Sequence, residues 1–290
     1  MSLPRALAWL AAAVAALAAA VVVYLAAARS DRPPALPGPV SSSPTVSAIG
    51  AMDSTPAAQH SAGESVEPAA RVAGSWDDQE SAAARRAMVE TDLAGRDITD
   101  RRVLDAMGRV PRHQFVPPQL RPNAYDDRPL PIGFGQTISQ PYIVALMTQL
   151  AQPRAESRAL DVGTGSGYQA AVLAELCKEV YGIEIVEPLA TEAADRLRRL
   201  GYTNVNVRAG DGYRGWPEKA PFDVIIVAAA PDHVPPALVE QLAPGGRLVL
   251  PVGRSYQQLI VVEKLPDGTT RQRRAGAVAF VPMTGEAERQ

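Results

Sequence analysis

The sequence contains almost none of the residues that build disulfides and metal sites. Cys177 is the single cysteine among 290 residues, which excludes an internal disulfide and a cysteine-built metal site. The three histidines, His60, His113 and His233, lie far apart and show no metal-ligand spacing, so no metal is expected. Neither charge is in excess, since 29 Lys and Arg face 31 Asp and Glu. Nothing therefore favours a nucleic-acid surface, and no nucleic-acid partner is expected.

One long segment near the start of the sequence lacks charge altogether. Residues 6–28 are almost wholly Ala, Val and Leu, and about 20 apolar residues suffice to span a bilayer as a helix. A signal peptide is the alternative, because Ala26, Ala27 and Ala28 offer small residues for cleavage. A buried helix is disfavoured because no amphipathic period is visible. We therefore expect residues 1–29 to be a membrane anchor or an export signal.

Residues 30–75 are short of large apolar side chains and rich in Pro, Ala, Ser and Gly. Such a composition cannot offset the entropy of ordering the chain, so this segment is predicted to be a disordered linker. Residues 76–290 are then predicted to form a single folded domain, a size that is ordinary for one hydrophobic core.

The predicted domain is organised around a glycine loop. A short apolar run ends at Val162, and Gly163, Gly165 and Gly167 then alternate with small polar residues before an apolar helix. Strand, tight loop and helix in this order are typical of the nucleotide-facing turn of a doubly wound α/β sheet. A tight turn without a ligand would give the same local pattern.

Asp161 indicates which nucleotide this loop suits. A dinucleotide would bring its pyrophosphate into the loop, where Asp161 would repel it, and Tyr168 stands where the dinucleotide fingerprint needs its third glycine. S-adenosylmethionine has no phosphate and carries an ammonium and a sulfonium, which a nearby carboxylate favours. Its own carboxylate suits the N-terminus of the helix that starts near Tyr168. S-adenosylmethionine is therefore the expected cofactor.

Strand-like and helix-like segments alternate after this loop. We predict parallel strands over residues 179–185, 204–208, 222–229 and 246–252, with helices over 188–200 and 236–242 between them. Residues 258–264 and 271–280 are predicted to form an antiparallel hairpin. The fold class is thus α/β, a Rossmann-like, doubly wound, mostly parallel sheet with a C-terminal antiparallel hairpin.

Before the glycine loop, the pattern predicts three helices, over residues 80–93, after an N-cap at Thr99, and over 142–150. The segment 130–141 between the last two is poor material for a helix or a strand. A polar loop in this position is either a connector or a place for binding groups.

Acidic residues follow the predicted strands at the edge where ligands bind in such sheets. Glu184 lies about twenty residues after the glycine loop, where an acid commonly accepts hydrogen bonds from ribose hydroxyls. Asp211, between two glycines, is placed to receive the adenine amino group. A solvated strand-end charge at Glu184 and an ordinary Asp-Gly turn at Asp211 remain the alternatives.

Several of these segments together resemble the protein-L-isoaspartate O-methyltransferase family. The matching segments are residues 110–117, 131–141, 160–167, 180–184, 210–212, 222–225, 242–248 and 281–284. Many methyltransferases share the glycine loop, but residues 135–141 (Gly-Gln-Thr-Ile-Ser-Gln-Pro) are much more specific to this family. The resemblance covers roughly Met88 to Thr284.

The resemblance implies a protein-repair reaction. The enzyme would transfer the methyl group of S-adenosylmethionine to the free α-carboxylate of L-isoaspartyl residues in damaged proteins or peptides, and the ester would collapse to a succinimide. It implies that Ser139 is the active-site residue and that Thr284 lies near the site. The expected cofactor-binding residues, from the loop and the resemblance together, are Gln136, Thr137, Ile138, Asp161, Gly163, Thr164, Gly165, Gly167, Glu184, Asp211 and Gly212.

Ser139 is not expected to act as a covalent nucleophile, because neither a histidine nor a Gly-x-Ser-x-Gly elbow accompanies it. Two other functions stay open, a methyltransferase acting on another carboxylate or small molecule and an inactive membrane-tethered protein that binds the cofactor. A monomer is expected. We expect the catalytic domain to face the cytoplasm, where the methyl donor is made, with export as the alternative.

Overall fold

The computed structural model describes residues 79–289. The predicted apolar segment, the whole predicted linker (residues 30–75) and residues 76–78 of the predicted domain precede this range, so these predictions lie outside the described residues. Within residues 79–289, no helix combines the length and the apolar character needed to cross a membrane.

A seven-stranded sheet forms the centre of the domain, in the order β5-β4-β3-β6-β7-β8-β9. Its strands are β3 (Arg158–Val162), β4 (Glu179–Glu184), β5 (Val205–Ala209), β6 (Phe222–Val227), β7 (Leu242–Val252), β8 (Gln257–Lys264) and β9 (Thr270–Val278). Strands β3 to β7 pair in parallel, whereas β8 and β9 pair antiparallel to their neighbours. The predicted fold class is confirmed. The strand order reverses between β3 and β6, which is where such sheets bind ligands.

Helices cover both faces of this sheet. They are α1 (Gln79–Ala87), which continues as a π-helical turn over Met88–Ala94, α2 (Arg101–Arg109), α3 (Pro141–Ala151), α4 (Tyr168–Ala174), α5 (Glu187–Arg199) and α6 (Pro236–Glu240). Strand β6 shows why the sheet is buried on both sides. Val224 and Ile226 join one apolar core, and Ile225 and Val227 join the other. A strand covered on both faces is apolar where it is covered, and β6 is apolar from Val224 to Val227, beyond the exposed Asp223.

The segment 130–141 differs from the prediction. It contains a short antiparallel hairpin, β1 (Leu130–Gly133) and β2 (Gln136–Ile138), instead of an irregular loop. The two residues between the strands, Phe134 and Gly135, both have positive φ, at 53° and 72°. This is the backbone that a tight two-residue hairpin turn requires. Strands of four and three residues are too short to show an alternating pattern.

The cap of α2 also differs from the prediction. Asp100, not Thr99, is the N-cap, and its carboxylate accepts a hydrogen bond from the backbone N–H of Arg102 at 3.0 Å. The backbone N–H of Thr99 instead donates to the side-chain oxygen of Gln149 at 2.7 Å. The same oxygen of Gln149 also accepts the backbone N–H of Asp100 at 2.8 Å, so α3 fixes the start of this helix.

Candidate active site

The glycine loop joins β3 to α4 at the sheet edge where the strand order reverses. The backbone N–H groups of Gly163 and Thr164 both donate to the carbonyl of Ile183 in β4, at 2.8 and 3.1 Å. Gly163, Gly165 and Gly167 have positive φ values of 78°, 55° and 92°, which other residues adopt only with strain. The loop is therefore fixed against the neighbouring strand with its outer side facing the cleft.

Gly167 lies on the side of the loop that packs against α5 and is not part of the cleft lining. A Cβ at this position would lie 3.0 Å from Cδ1 of Leu197 in α5. The absent side chain therefore lets α5 pack closely against the start of α4, and any larger residue would push the two apart.

Glu184 ends β4 and lines the cleft. Its Oε2 accepts a hydrogen bond from the backbone N–H of Gly165 at 2.8 Å, and its Oε1 accepts one from Val186 at 3.0 Å. The side chain is almost fully buried. A carboxylate has about four lone-pair positions, so Glu184 holds the glycine loop and keeps acceptor capacity for a ligand.

Asp161 lies beneath the glycine loop, is fully buried and does not line the cleft. Its Oδ2 accepts a hydrogen bond from the hydroxyl of Thr164 at 3.1 Å, whereas its Oδ1 has no partner within residues 79–289. Burial raises the pKa of Asp161 to about 7, and the negative charge of Glu184 adds to the rise. An incompletely bonded buried acid of this kind is sensitive to any cation placed nearby.

Asp211 follows β5 and ties two turns together behind the cleft. Its Oδ1 accepts from the backbone N–H of Tyr213 at 2.9 Å, and its Oδ2 accepts from that of Glu286 at 2.8 Å. Asp211 is not among the cleft-lining residues, but its neighbour Gly212 is. A Cβ on Gly212 would clash with Cγ1 of Val162, so this turn approaches β3 only because the residue is glycine.

The β1–β2 hairpin forms the opposite wall. Gln136, Thr137 and Ile138 of β2 line the cleft, and Ser139 follows directly. The Ser139 side chain is half-buried, and its hydroxyl bonds to no other residue in the part of the chain that the structure describes. It is therefore available to a ligand.

These elements enclose about 920 Å³ of empty space, counted with the open mouth of the cleft. The predicted residues that it brings together are Gln136, Thr137, Ile138, Ser139, Gly163, Thr164, Gly165, Glu184, Gly212 and Thr284. Asp161, Gly167 and Asp211 stand behind this lining.

Apart from Ile138, sequence reasoning missed the apolar part of the lining. Ile185, Met147 and Met283 belong to it, and Ile185 keeps 42% of its surface exposed there. The position of Ile185 directly after the strand-end acid was the one available signal. Met147 and Met283 come from distant parts of the chain, and only the fold brings them together.

A family model supplies the assignment. Residues 83–288 match the model of the family described as protein-L-isoaspartate(D-aspartate) O-methyltransferase. The chain belongs to this family.

Similar proteins agree with this assignment. A relative from Syntrophobacter fumaroxidans, named protein-L-isoaspartate O-methyltransferase 2, is 59% identical over 197 residues, which cover 67% of this chain and 80% of the relative. A solved structure named protein-L-isoaspartate O-methyltransferase has a TM-score of 0.64 at 28% identity and covers 70% of this chain and 67% of its own. One from Plasmodium falciparum, solved with S-adenosyl-L-homocysteine, has a TM-score of 0.61 at 27% identity over 69% and 98% of the two chains.

As a member of this O-methyltransferase family, the chain is an S-adenosylmethionine-dependent enzyme. The cleft fits that cofactor in its chemistry. It offers apolar surface at Val162 and Ile185 and acceptor capacity at Glu184. The unpartnered oxygen of the buried Asp161 adds negative potential beneath the loop, which suits a cofactor with two cationic groups.

Both described histidines take part in hydrogen bonds to tyrosines. His113 Nδ1 lies 2.8 Å from the hydroxyl of Tyr125, and His233 Nε2 lies 2.7 Å from that of Tyr213. Residues 79–289 hold no cluster of His, Cys, Asp and Glu able to bind a metal ion. Since Ser139 has no basic partner in this range, it is not arranged as a deprotonated nucleophile.

Proposed function

We propose that Ser139 orients the free α-carboxylate of an L-isoaspartyl residue for attack on the methyl group of S-adenosylmethionine. The observation that carries this proposal is the position of Ser139. Ser139 follows the last residue of β2 and lines the cleft. Its hydroxyl forms no hydrogen bond to any other residue between 79 and 289. The neighbouring residues Gln136 to Ile138 line the same cleft, so the acceptor and the donor would meet there.

The reaction requires alignment more than acid–base chemistry. The acceptor carboxylate is already ionised at neutral pH. One of its oxygens forms a bond to the methyl carbon as the carbon–sulfur bond breaks, and the sulfur keeps the electron pair as neutral S-adenosylhomocysteine. No proton moves in this step. Holding the two reactants in line can contribute roughly 7–11 kcal/mol, and a hydroxyl donor such as Ser139 can fix one carboxylate oxygen.

We assign each residue a part of the cofactor according to its position in the cleft. Glu184 has acceptor capacity left for the ribose hydroxyls after its bonds to Gly165 and Val186. Ile185 and Gly212 offer space and apolar surface for the adenine ring, while Asp211 supports the Gly212 turn from behind. The glycine loop faces the methionine part, with Thr164 joining it to the buried Asp161.

The deciding experiment uses the full-length chain, radiolabelled S-adenosylmethionine and paired peptides that contain either L-isoaspartate or normal aspartate at one position. Label on the isoaspartyl peptide alone is expected. Label on both peptides would indicate an enzyme with another carboxylate acceptor, and label on neither would sink the proposed function. Calorimetric titration with the cofactor then separates an inactive binding protein from one that does not bind.

We further propose that residues 76–290 act as one catalytic domain, tethered to the cytoplasmic face of a membrane through residues 6–28. The support is the apolar segment in the sequence and the need of the enzyme for a donor that is made in the cytosol. The family match starts at residue 83, so the tether lies outside the family pattern. A protease added to intact cells should leave the domain uncut, and cleavage would indicate export.

A further inference from the structure

A second cavity adjoins the cofactor cleft, and Ser166 of the glycine loop lines both. It lies between α5, Ile132 of β1 and the segment that follows α2, and it holds about 880 Å³ of empty space with its open mouth. Its charged side chains are Arg121, Arg196, Arg199 and Glu192. We name it the arginine cleft.

The arginine cleft carries uncompensated positive charge. Three guanidinium groups face one carboxylate, and Arg196 Nη2 lies 3.9 Å from Glu192 Oε2, at the outer limit of an ion pair. Within residues 79–289, Arg121 and Arg199 have no carboxylate partner. Several other arginines in this range do pair closely, such as Arg109 with Glu175 at 2.8 Å. The cleft therefore has a net positive charge that no carboxylate within residues 79–289 neutralises.

Arg196 connects this cleft to the glycine loop. Its Nη1 donates a hydrogen bond to the carbonyl of Ser166 at 2.8 Å, and its side chain keeps only 19% of its surface exposed. Burial lowers the pKa of Arg196, and the nearby charge of Arg199 lowers it further, although Glu192 opposes this. A guanidinium has five N–H donors, so several remain free for a ligand.

We propose that the arginine cleft binds a carboxylate or phosphate group. Arginine is the side chain best suited to these anions, because its planar fork matches their paired oxygens. Two like charges held together, Arg196 and Arg199, repel each other until an anion neutralises them. The cavity is large enough for the anion to enter with its shell of bonded water.

The anion has two possible sources. It is either a free small anion or an acidic side chain of the polypeptide substrate, and the second source rests on the proposed function. Since Ser166 lines both cavities, the two sites are neighbours, and an extended polypeptide advances about 3.3 Å per residue. The polypeptide source is therefore an acidic residue a few positions from the isoaspartyl residue, and spacings of three and four positions are the ones to test.

The test compares the full-length chain with the double variant Arg121→Gln/Arg199→Gln, which changes two exposed and unpaired side chains. Arg198→Gln is the matched control, because Arg198 lies on the same helix but pairs with Asp195 and does not line the cleft. The first measurement is calorimetric titration with inorganic phosphate at constant ionic strength. The second is kcat/KM for isoaspartyl peptides that carry Glu or Gln three or four positions away.

Phosphate binding that the double variant weakens at least tenfold, and the control does not, would establish the site. A Glu peptide favoured about tenfold over its Gln counterpart, with the preference lost in the double variant alone, would identify the polypeptide as the source. Phosphate binding without this preference would identify a free anion. The proposal is overturned if the double variant changes neither measurement. Because phosphate binding needs no methyl transfer, it tests the cleft even if no peptide is methylated.

Discussion

At the scale of single residues, the proposed role of Ser139 is to orient the acceptor carboxylate. We expect Ser139→Ala to lower kcat on an isoaspartyl peptide by about 10- to 100-fold, since hydrogen bonds to charged groups contribute roughly 1.5–3 kcal/mol. The dissociation constant of the cofactor should change less than about twofold, because the hydroxyl faces the acceptor. Ser255→Ala, at an exposed turn position, is the matched control. An unchanged kcat would remove Ser139 from the site.

Asp161 should link cofactor binding to pH. The pKa of this buried carboxyl is about 7 in the folded protein, against 3.8 for the free group. Between about pH 4 and 7 the folded state thus holds a proton that the unfolded state has lost, and the free energy of unfolding falls as pH rises through this window. Above about pH 7 both states are ionised, so this contribution stays constant.

A cationic cofactor should favour the ionised form of Asp161, so its binding near pH 6 should release a proton. We expect the affinity for S-adenosylmethionine to rise from pH 6 to 8 by up to about tenfold, because the free protein holds the Asp161 proton up to about pH 7. Calorimetric titration across this range would measure it, and Asp161→Asn should flatten the profile. S-adenosylhomocysteine, which lacks the sulfonium charge, should show a weaker rise. A flat profile in the unaltered protein would contradict the linkage.

At the scale of secondary-structure elements, β4 depends on a missing side chain. Gly182 lies in the middle of this strand, and a Cβ there would stand 2.5 Å from Oγ1 of Thr164 and 3.2 Å from Cγ2 of Val207. We expect Gly182→Ala to lower the free energy of unfolding by about 1–3 kcal/mol through overpacking. It should also weaken cofactor binding, because it displaces Thr164, which lines the cleft.

Chemical denaturation and cofactor titration would measure these two effects. Gly108→Ala in α2 is the control, because a Cβ there meets nothing within 4 Å. Alanine in a helix should leave the protein equally stable or up to about 1 kcal/mol more stable. If the two variants had the same free energy of unfolding and the same cofactor affinity, the position of Thr164 would not depend on the absence of a side chain at Gly182.

The elements that the sequence predicts well are those with long or distinctive local patterns. The apolar run of β6 is enough to predict a buried strand. The three glycines after β3 are likewise enough to predict a tight loop. The β1–β2 hairpin has strands too short to show a period. The π-helical turn at Met88–Ala94 and the choice of Asp100 over Thr99 as the cap show in no local sequence pattern.

The residues of the candidate site likewise fall into those that the sequence predicts and those that only the fold reveals. Glu184 and the glycine loop occupy positions that a sheet of this class reserves for ligands, so their place in the cleft followed from order along the chain. The burial of Asp161 beneath the loop, and the meeting of Arg121 with Arg196 and Arg199, depend on contacts between segments far apart in sequence. No local pattern carries that information.

At the scale of the whole molecule, the cleft draws on segments from Gln136 to Thr284, so a bound cofactor should stabilise the whole domain. At 100 times its dissociation constant, S-adenosylhomocysteine should raise the free energy of unfolding by about 2.7 kcal/mol. For a domain of this size the midpoint of thermal unfolding should rise by roughly 5–10 °C. A thermal melt of the full-length chain would measure it. Glu184→Gln should reduce the shift, and no shift in the unaltered protein would count against a preassembled site.

Within residues 79–289, strand β9 forms one edge of the large sheet, and this edge affects how copies of the protein meet. All but two residues of β9 are exposed, and Arg271, Arg273 and Arg274 lie along it. An open strand edge invites pairing with another chain, and a row of like charges opposes that pairing. The repulsion reaches about 10 Å in 0.1 M salt and about 3 Å in 1 M salt. Concentrated salt therefore removes the protection of this edge against strand-to-strand aggregation, and dilute buffer preserves it.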